Sequence, residues 1–134
     1  SRTPLHLACE NGHADVVQFL AGRKCQLNIP DSFQKTPLMK AVQKEHEDCV
    51  AILLEHGAKT DLKDADSNTA LHLAAISASK PLVGLLLEYN APIDAQNEMG
   101  YTPLTVVISQ ACKEMVKFLL QNGADVNVQD KHER

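Results

Sequence analysis

Thr3, Thr36, Thr69 and Thr102 stand 33 residues apart, and each opens a near-copy of one phrase: TPLHLA, TPLMKA, TALHLA and TPLTVV. Self-similarity at a fixed interval of this length means a row of like supersecondary units, none able to bury its apolar face except against a neighbour. The chain divides without a gap into repeats 1–35, 36–68, 69–101 and 102–134, the phase starting at Thr3. A 134-residue domain built this way offers the surface of a stack, not one enclosed pocket, as its working element.

Laid over one another, the repeats share Leu5, Leu38, Leu71 and Leu104 at the third position and Leu20, Leu53, Leu86 and Leu119 at the eighteenth. Positions fourteen and fifteen are apolar each time: Val16 and Val17, Cys49 and Val50, Leu82 and Val83, Met115 and Val116. Spacings of three and four along VVQFL, CVAILL, LVGLLL and MVKFLL form one helical stripe, so these positions are predicted to make a common core. A low aromatic content of 4%, without Trp, suits thin layers of Leu, Val and Ala.

A first, shorter helix is predicted to begin at each Thr, whose hydroxyl caps the opening turn, with Pro next in three of the four units. The run TVVIS in the last unit favours a strand by its β-branched content, but phase with the other units predicts helix, because packing overrides propensity. Asp15, Asp48 and Glu114 open the second helices where negative charge meets the positive end of the dipole, and Pro81 holds the equivalent place. Gly57, Gly123 and Asn90 mark left-handed exits, with Lys24 at that site in the first unit. Asn28, Asp61, Asp94 and Asn127 recur at one later position, and Asp31, Asp64, Asn97 and Asp130 three residues on. Short side chains that bond their own backbone suit a tight projecting finger.

TPLHLACENGHADVVQFL in the first unit and LLQNGADVNVQD in the last resemble the ankyrin repeat, and the similarity covers the whole chain. The resemblance implies an all-α solenoid of antiparallel helix pairs with projecting β-hairpin loops, which binds another protein on its concave face. It also implies that His6 and His72, at one repeat position, bond backbone and the neighbouring Thr. Departures lie in the middle. The GH pair becomes Glu45 and His46, then Ala78 and Ser79, then Ala111 and Cys112; Gln34 and Ser67 replace the finger glycine that survives as Gly100, so differently bent fingers are expected. The phrase ACENGHADVVQFL followed by a degenerate second unit is similar to the mammalian POTE-like group of ankyrin-repeat proteins, which join such arrays to coiled coils. Asn127 in GADVN is similar to sites of asparaginyl hydroxylation in the family, although a role in the turn accounts for it. Terminal units that carry internal-repeat sequence point to a piece of a longer array.

Mapped by phase, the partner surface implied by the resemblance consists of finger tips and first-helix ends: Phe33 and Lys35, Asp66 and Asn68, Met99 and Tyr101, then Glu10 and Asn11, Gln43 and Lys44, Ile76, and Ser109 and Gln110. Two of the five aromatic residues, Phe33 and Tyr101, fall at tips, with Met99 and Ile76 on the same face. Interfaces enrich aromatics and Met at their centre, so a hydrophobic anchor is expected along this ridge. A structural or self-association module and a substrate-recruiting arm of a larger complex are the other readings that the sequence admits.

Chemistry of other kinds finds little support. A net charge of −4 gives no basic field for nucleic acid, no apolar run is long enough to cross a bilayer, and the N-terminus shows no signal-peptide pattern. No nucleophile elbow, phosphate loop, HExxH or paired-carboxylate motif occurs, so no enzyme, cofactor or metal is expected. Cys9, Cys25 and Cys49 read as core fillers and Cys112 as partly exposed; without CxxC or zinc spacing, reduced thiols in the cytoplasm or nucleus are expected. The chain is expected to be monomeric.

Overall fold

The computed structural model describes residues 2–23 and 25–129. Lys24 and Asp130, singled out above, lie outside the described residues. The described residues form eight helices in four pairs: α1 (Pro4–Glu10) with α2 (Ala14–Ala21), α3 (Pro37–Gln43) with α4 (Glu47–Glu55), α5 (Ala70–Ile76) with α6 (Lys80–Glu88), and α7 (Pro103–Ser109) with α8 (Lys113–Gln121). Each first helix starts as its sequence dictates. The hydroxyls of Thr3, Thr36, Thr69 and Thr102 accept from the N–H of the residue three on, and Pro4, Pro37 and Pro103 take the first turn, where no N–H is needed. TVVIS is helical within α7.

Helices α1 and α3 to α8 end in the same way, with paired bonds from the two residues beyond the cap back to the last turn, the Schellman arrangement. In α4 these run from Gly57 N–H to Leu54 C=O (3.0 Å) and from Ala58 N–H to Leu53 C=O (3.0 Å). The motif needs a left-handed residue, and the chain supplies it with or without glycine: Gly12 (φ 71°) after α1, but Glu45 (58°), Ala78 (54°) and Ala111 (57°) after α3, α5 and α7. Asn90 (64°), like Gly57 and Gly123, takes the exit from a second helix. The three finger residues Gln34 (63°), Ser67 (63°) and Gly100 (83°) share one conformation as well, so the expected difference in bend does not arise. Closure of the motif outweighs the cost of about 1–2 kcal/mol that a side chain incurs there.

The first helices stack as one layer, α1 on α3 on α5 on α7, and α2, α4 and α6 stack as a second. Between them lies one continuous apolar core. All four third-position leucines are buried, as are Leu53, Leu86 and Leu119. Two of the predicted core positions depart at the first repeat: Val16 is 43% exposed and Leu20 only partly buried, whereas Cys49, Leu82 and Met115 are buried to within 2%. At the other end the pattern reverses, with Val116 half-buried where Val17, Val50 and Val83 are fully enclosed. Position fourteen thus faces the preceding repeat and position fifteen the following one, so each is open where the stack supplies no neighbour.

Polar ties repeat across the junctions. Asn28 Oδ1 accepts from Lys59 N–H (3.0 Å) and Asp94 Oδ1 from Asp125 N–H (2.9 Å), so these side chains bond the next repeat and not, as expected, their own backbone. His46 Nε2 donates to Glu10 C=O (3.2 Å), and Gln110 Nε2 donates to Ile76 C=O (2.9 Å), each serving the last-turn carbonyl of the preceding repeat's first helix. The His46 ring lies flat against Gly12: a methyl group there would stand 2.8 Å from His46 Cε1.

Leu71→Ala is expected to cost roughly 2–5 kcal/mol in chemical unfolding, as a deletion inside the core, while Val16→Ala costs under about 1 kcal/mol. Gly12→Ala is expected to lose about 1–2 kcal/mol from its left-handed backbone alone and more from overlap with His46. Combining it with His46→Ala should recover the overlap part only, which a double-mutant cycle of unfolding free energies reads directly.

Candidate protein-binding ridge

The finger between two repeats forms because one acceptor side chain gathers the N–H groups of its own turn. Asp31 Oδ1 accepts from Phe33 N–H (2.8 Å) and Lys35 N–H (2.9 Å), Asp64 Oδ1 from Asp66 N–H and Asn68 N–H (2.9 Å each), and Asn97 Oδ1 from Met99 N–H and Tyr101 N–H (3.0 Å each). Backbone bonds from Asp31 to Lys35, Asp64 to Asn68 and Asn97 to Tyr101, 2.9 Å each, close the three turns. They are hydrogen-bonded turns, and among the described residues none is assigned as strand. Burial alone would raise the Asp31 carboxyl, but the N–H groups of Lys35 and Phe33 and the Lys40 ammonium outweigh it and hold the group below its ordinary pKa of 3.8.

Successive fingers are also tied to each other. Ala65 N–H donates to Phe33 C=O (3.1 Å) and Glu98 N–H to Asp66 C=O (3.0 Å). Lys35 Nζ meets Asp64 Oδ2 at 2.6 Å with the carboxylate almost wholly buried, and Asn97 Nδ2 donates to Asn68 Oδ1 at 3.0 Å. Below them His6 Nε2 donates to Lys35 C=O (2.9 Å) and His72 Nε2 to Tyr101 C=O (2.8 Å). The Nδ1 atoms of these rings accept from Thr3 N–H (3.0 Å) and Thr69 N–H (3.1 Å), as the resemblance implied. Both bonds require neutral rings with the proton on Nε2. Among the described residues every buried side-chain polar atom has a partner.

Of the residues mapped from the sequence, Phe33 (66% exposed), Met99 (46%) and Ile76 (49%) project from this framework into solvent. Asp66, Asn11, Gln43, Lys44, Ser109 and Gln110 are exposed, with Asn11, Lys44 and Gln110 at the caps that end α1, α3 and α7. Four are half-buried: Lys35 is held by Asp64, Asn68 by Asn97, Glu10 pairs with Arg2 at 2.8 Å, and the fourth is Tyr101. Phe33, Asp66 and Met99 occupy one repeat position, so the tethered fingers bring an apolar, an acidic and an apolar side chain to equivalent places. The first helices stack in a row of their own.

Sequence reasoning missed Leu7 and Ile108, exposed at the two ends of the first-helix layer. Their counterparts Leu73 and Ala75 are buried, and phase carries no sign of a missing neighbour. It also missed a groove of about 460 Å³ on the second-helix side, lined by Lys80, Pro81, Gly84, Leu85, Glu88 and Phe118. The signal was Gly84 inside a helix: a methyl there would stand 3.4 Å from Phe118 Cζ, and Lys80 Nζ lies 5.0 Å from the centre of that ring.

Neither buried thiol, Cys9 or Cys49, is activated. Burial, with smaller contributions from the neighbouring Cys49, Cys25 and Glu10, pushes Cys9 up to about 12, and burial with Asp48 pushes Cys49 up to about 11. Among the described residues no cluster of ligating side chains could hold a metal.

Paired helices on a 33-residue register, tied fingers and Thr–His clasps define the class. The family model for ankyrin repeats, in three copies, matches residues 1–64 and 57–130, so the chain belongs to the ankyrin-repeat family, a family of protein-interaction modules. The chain is also 68% identical over 25 residues to the human "Ankyrin repeat domain-containing protein 7" of Homo sapiens, an alignment covering 19% of this chain and 10% of that protein. No helix among the described residues is long and apolar enough to cross a membrane.

The His72 clasp has a pH signature. Burial first, and the Lys63 charge second, hold the ring below its ordinary pKa of 6.5, against the opposing pull of Tyr101 C=O and Asp64. The unfolded chain therefore binds a proton that the folded one resists, and the clasp's contribution is full above pH 6.5 and lost as pH falls below it. Unfolding midpoints measured across that range should fall more steeply for the natural chain than for His72→Gln.

Proposed function

We propose that the chain binds a partner protein along the ridge of finger tips and first-helix ends, and that it performs no catalysis. The observation that carries this reading is the Phe33, Asp66 and Met99 row: two large apolar groups displayed on either side of a carboxylate, all on fingers fixed to one another. Fixed display favours recognition, because little side-chain or loop freedom is left to lose on binding. The complementary partner surface carries two apolar patches separated by a basic group. Ile76, exposed at the end of α5, extends the apolar footprint, and Gln43, Lys44, Ser109 and Gln110 form its polar margin, as in interfaces where anchors sit inside a wet rim. Four free thiols, two of them buried, support a reducing compartment, the cytoplasm or nucleus.

A photo-reactive side chain at position 33 or 99 should cross-link a discrete partner in cell extract, whereas one at Glu88 on the second-helix side should not. Phe33→Ala with Met99→Ala is expected to weaken capture by about 30-fold, the loss of about 2 kcal/mol that marks a hot spot, with the thermal unfolding midpoint unchanged. Asp66→Lys should weaken it too. Undiminished capture by the double variant would remove the ridge from consideration.

A further inference from the structure

Helix α6 breaks three local preferences at once. Its first turn carries Lys80 and no acid, where α2, α4 and α8 set Asp15, Glu47 with Asp48, and Glu114 against the positive end of the helix dipole. Its last residue is Glu88, at the negative end. Its centre is Gly84, the poorest helix former short of proline, at a position that holds Gln18, Ala51 and Lys117 in the other repeats. Nothing inside the fold asks for that glycine, because a methyl group would stand 3.4 Å from Phe118 Cζ, an ordinary contact distance.

These three residues are spaced by four, so they form one row along the helix. Pro81 and Leu85 flank the row and Phe118 of α8 forms its far wall, which makes the groove of about 460 Å³. The second-helix layer is tight from α2 to α6 and loosens between α6 and α8, and that leaves the groove open. Both walls belong to interior surfaces of the array, not to an end face. Lys80 and Glu88 are exposed, and among the described residues neither makes an ion pair; Lys80 Nζ rests over the Phe118 ring.

Four residues before Gly84 stands a cation and four after it an anion. Turned end for end about Gly84, a second α6 brings its Glu88 to Lys80 and its Lys80 to Glu88, each about 6 Å from the centre. The antiparallel arrangement also corrects the dipole placement: Lys80 then faces the negative end of the other helix and Glu88 the positive end. Glycine at the crossing lets the two backbones approach closely, and Pro81, Leu85 and Phe118 of each copy cover the apolar floor of the other's groove. An unrelated partner would not require charges that mirror about Gly84; a second copy does.

We propose that the α6 face is a two-fold contact between copies of this chain, centred on Gly84 and closed by reciprocal Lys80–Glu88 pairs. This takes up the self-association reading that the sequence admits, in place of the expected monomer. No ridge residue lies on α6 or α8, so each copy keeps its ridge free and the inference holds whatever binds there. Two exposed ion pairs and a few apolar side chains make a small interface, with a dissociation constant on the order of 100 µM.

Sedimentation velocity at rising concentration, in low and high salt, tests the contact. The natural chain should pass from monomer to dimer, and salt should move the transition to higher concentration. Lys80→Glu or Glu88→Lys alone sets like charges opposite each other twice and should weaken the dimer about tenfold or more. Both changes in one chain should restore it, and so should an equimolar mixture of the two single variants, which pair with each other. Gly84→Gln, matching Gln18 in the first repeat, should abolish the dimer without lowering the thermal unfolding midpoint. A photo-reactive residue at position 88 removes the anion from both copies, so it stays a fit control for the ridge. A chain still monomeric at about ten times the stated constant, single reversals without effect, failure of both restorations, or a dimer that survives Gly84→Gln would overturn the proposal. So would a photo-reactive side chain at position 85 that captures another protein and never the chain itself.

Discussion

Each repeat is held in shape by the contacts its helices make with a neighbouring repeat. Val17, Val50 and Val83 are fully enclosed because they face forward into a following unit; Cys49, Leu82 and Met115 are enclosed because they face back. Neither set has enough apolar surface inside its own 33-residue unit to be removed from water. Remove the neighbour and the same repeat position is exposed, as Val16 demonstrates. Stability in such a chain is a sum over junctions, and the quality of each junction depends on pairs of residues one period apart.

The polar part of the structure obeys the same nearest-neighbour rule. Asp31, Asp64 and Asn97 organise their own fingers, but Lys35 reaches to Asp64, Asn68 to Asn97, and Phe33 and Asp66 offer their carbonyls to the finger that follows. His6 and His72 tie the base of a finger to the cap of a helix with both ring nitrogens in use. These two histidines are thereby absorbed into architecture. What is left free is a line of tips whose backbone is fixed and whose side chains are variable, which is the division of labour that recognition by a repeat surface needs.

Left-handed residues illustrate how far packing can override a local preference. Glu45, Ala78 and Ala111 adopt the conformation of Gly12 because the Schellman bonds at each helix end, and the stack that fixes the direction of the next helix, leave no alternative. The cost falls on the turn, and the return comes from the core. At Gly12 glycine is kept because a neighbour, His46, occupies the space of a side chain.

Period and composition by themselves determined a great deal: Thr at the cap, Pro in the first turn, Leu at two fixed positions and acceptors in the fingers are local requirements, and local requirements are written in sequence. They were enough to read TVVIS as helix and to assign the helix pairs, the core leucines and the finger tips. Only the tertiary structure decided which equivalent residues have a neighbour. It left Val16 and Ile108 in solvent, turned Asn28 and Asp94 toward the next repeat, and engaged Lys35 and Asn68 between fingers while leaving Phe33 and Met99 free. The physical reason is that phase makes repeats identical, whereas burial depends on what stands on either side.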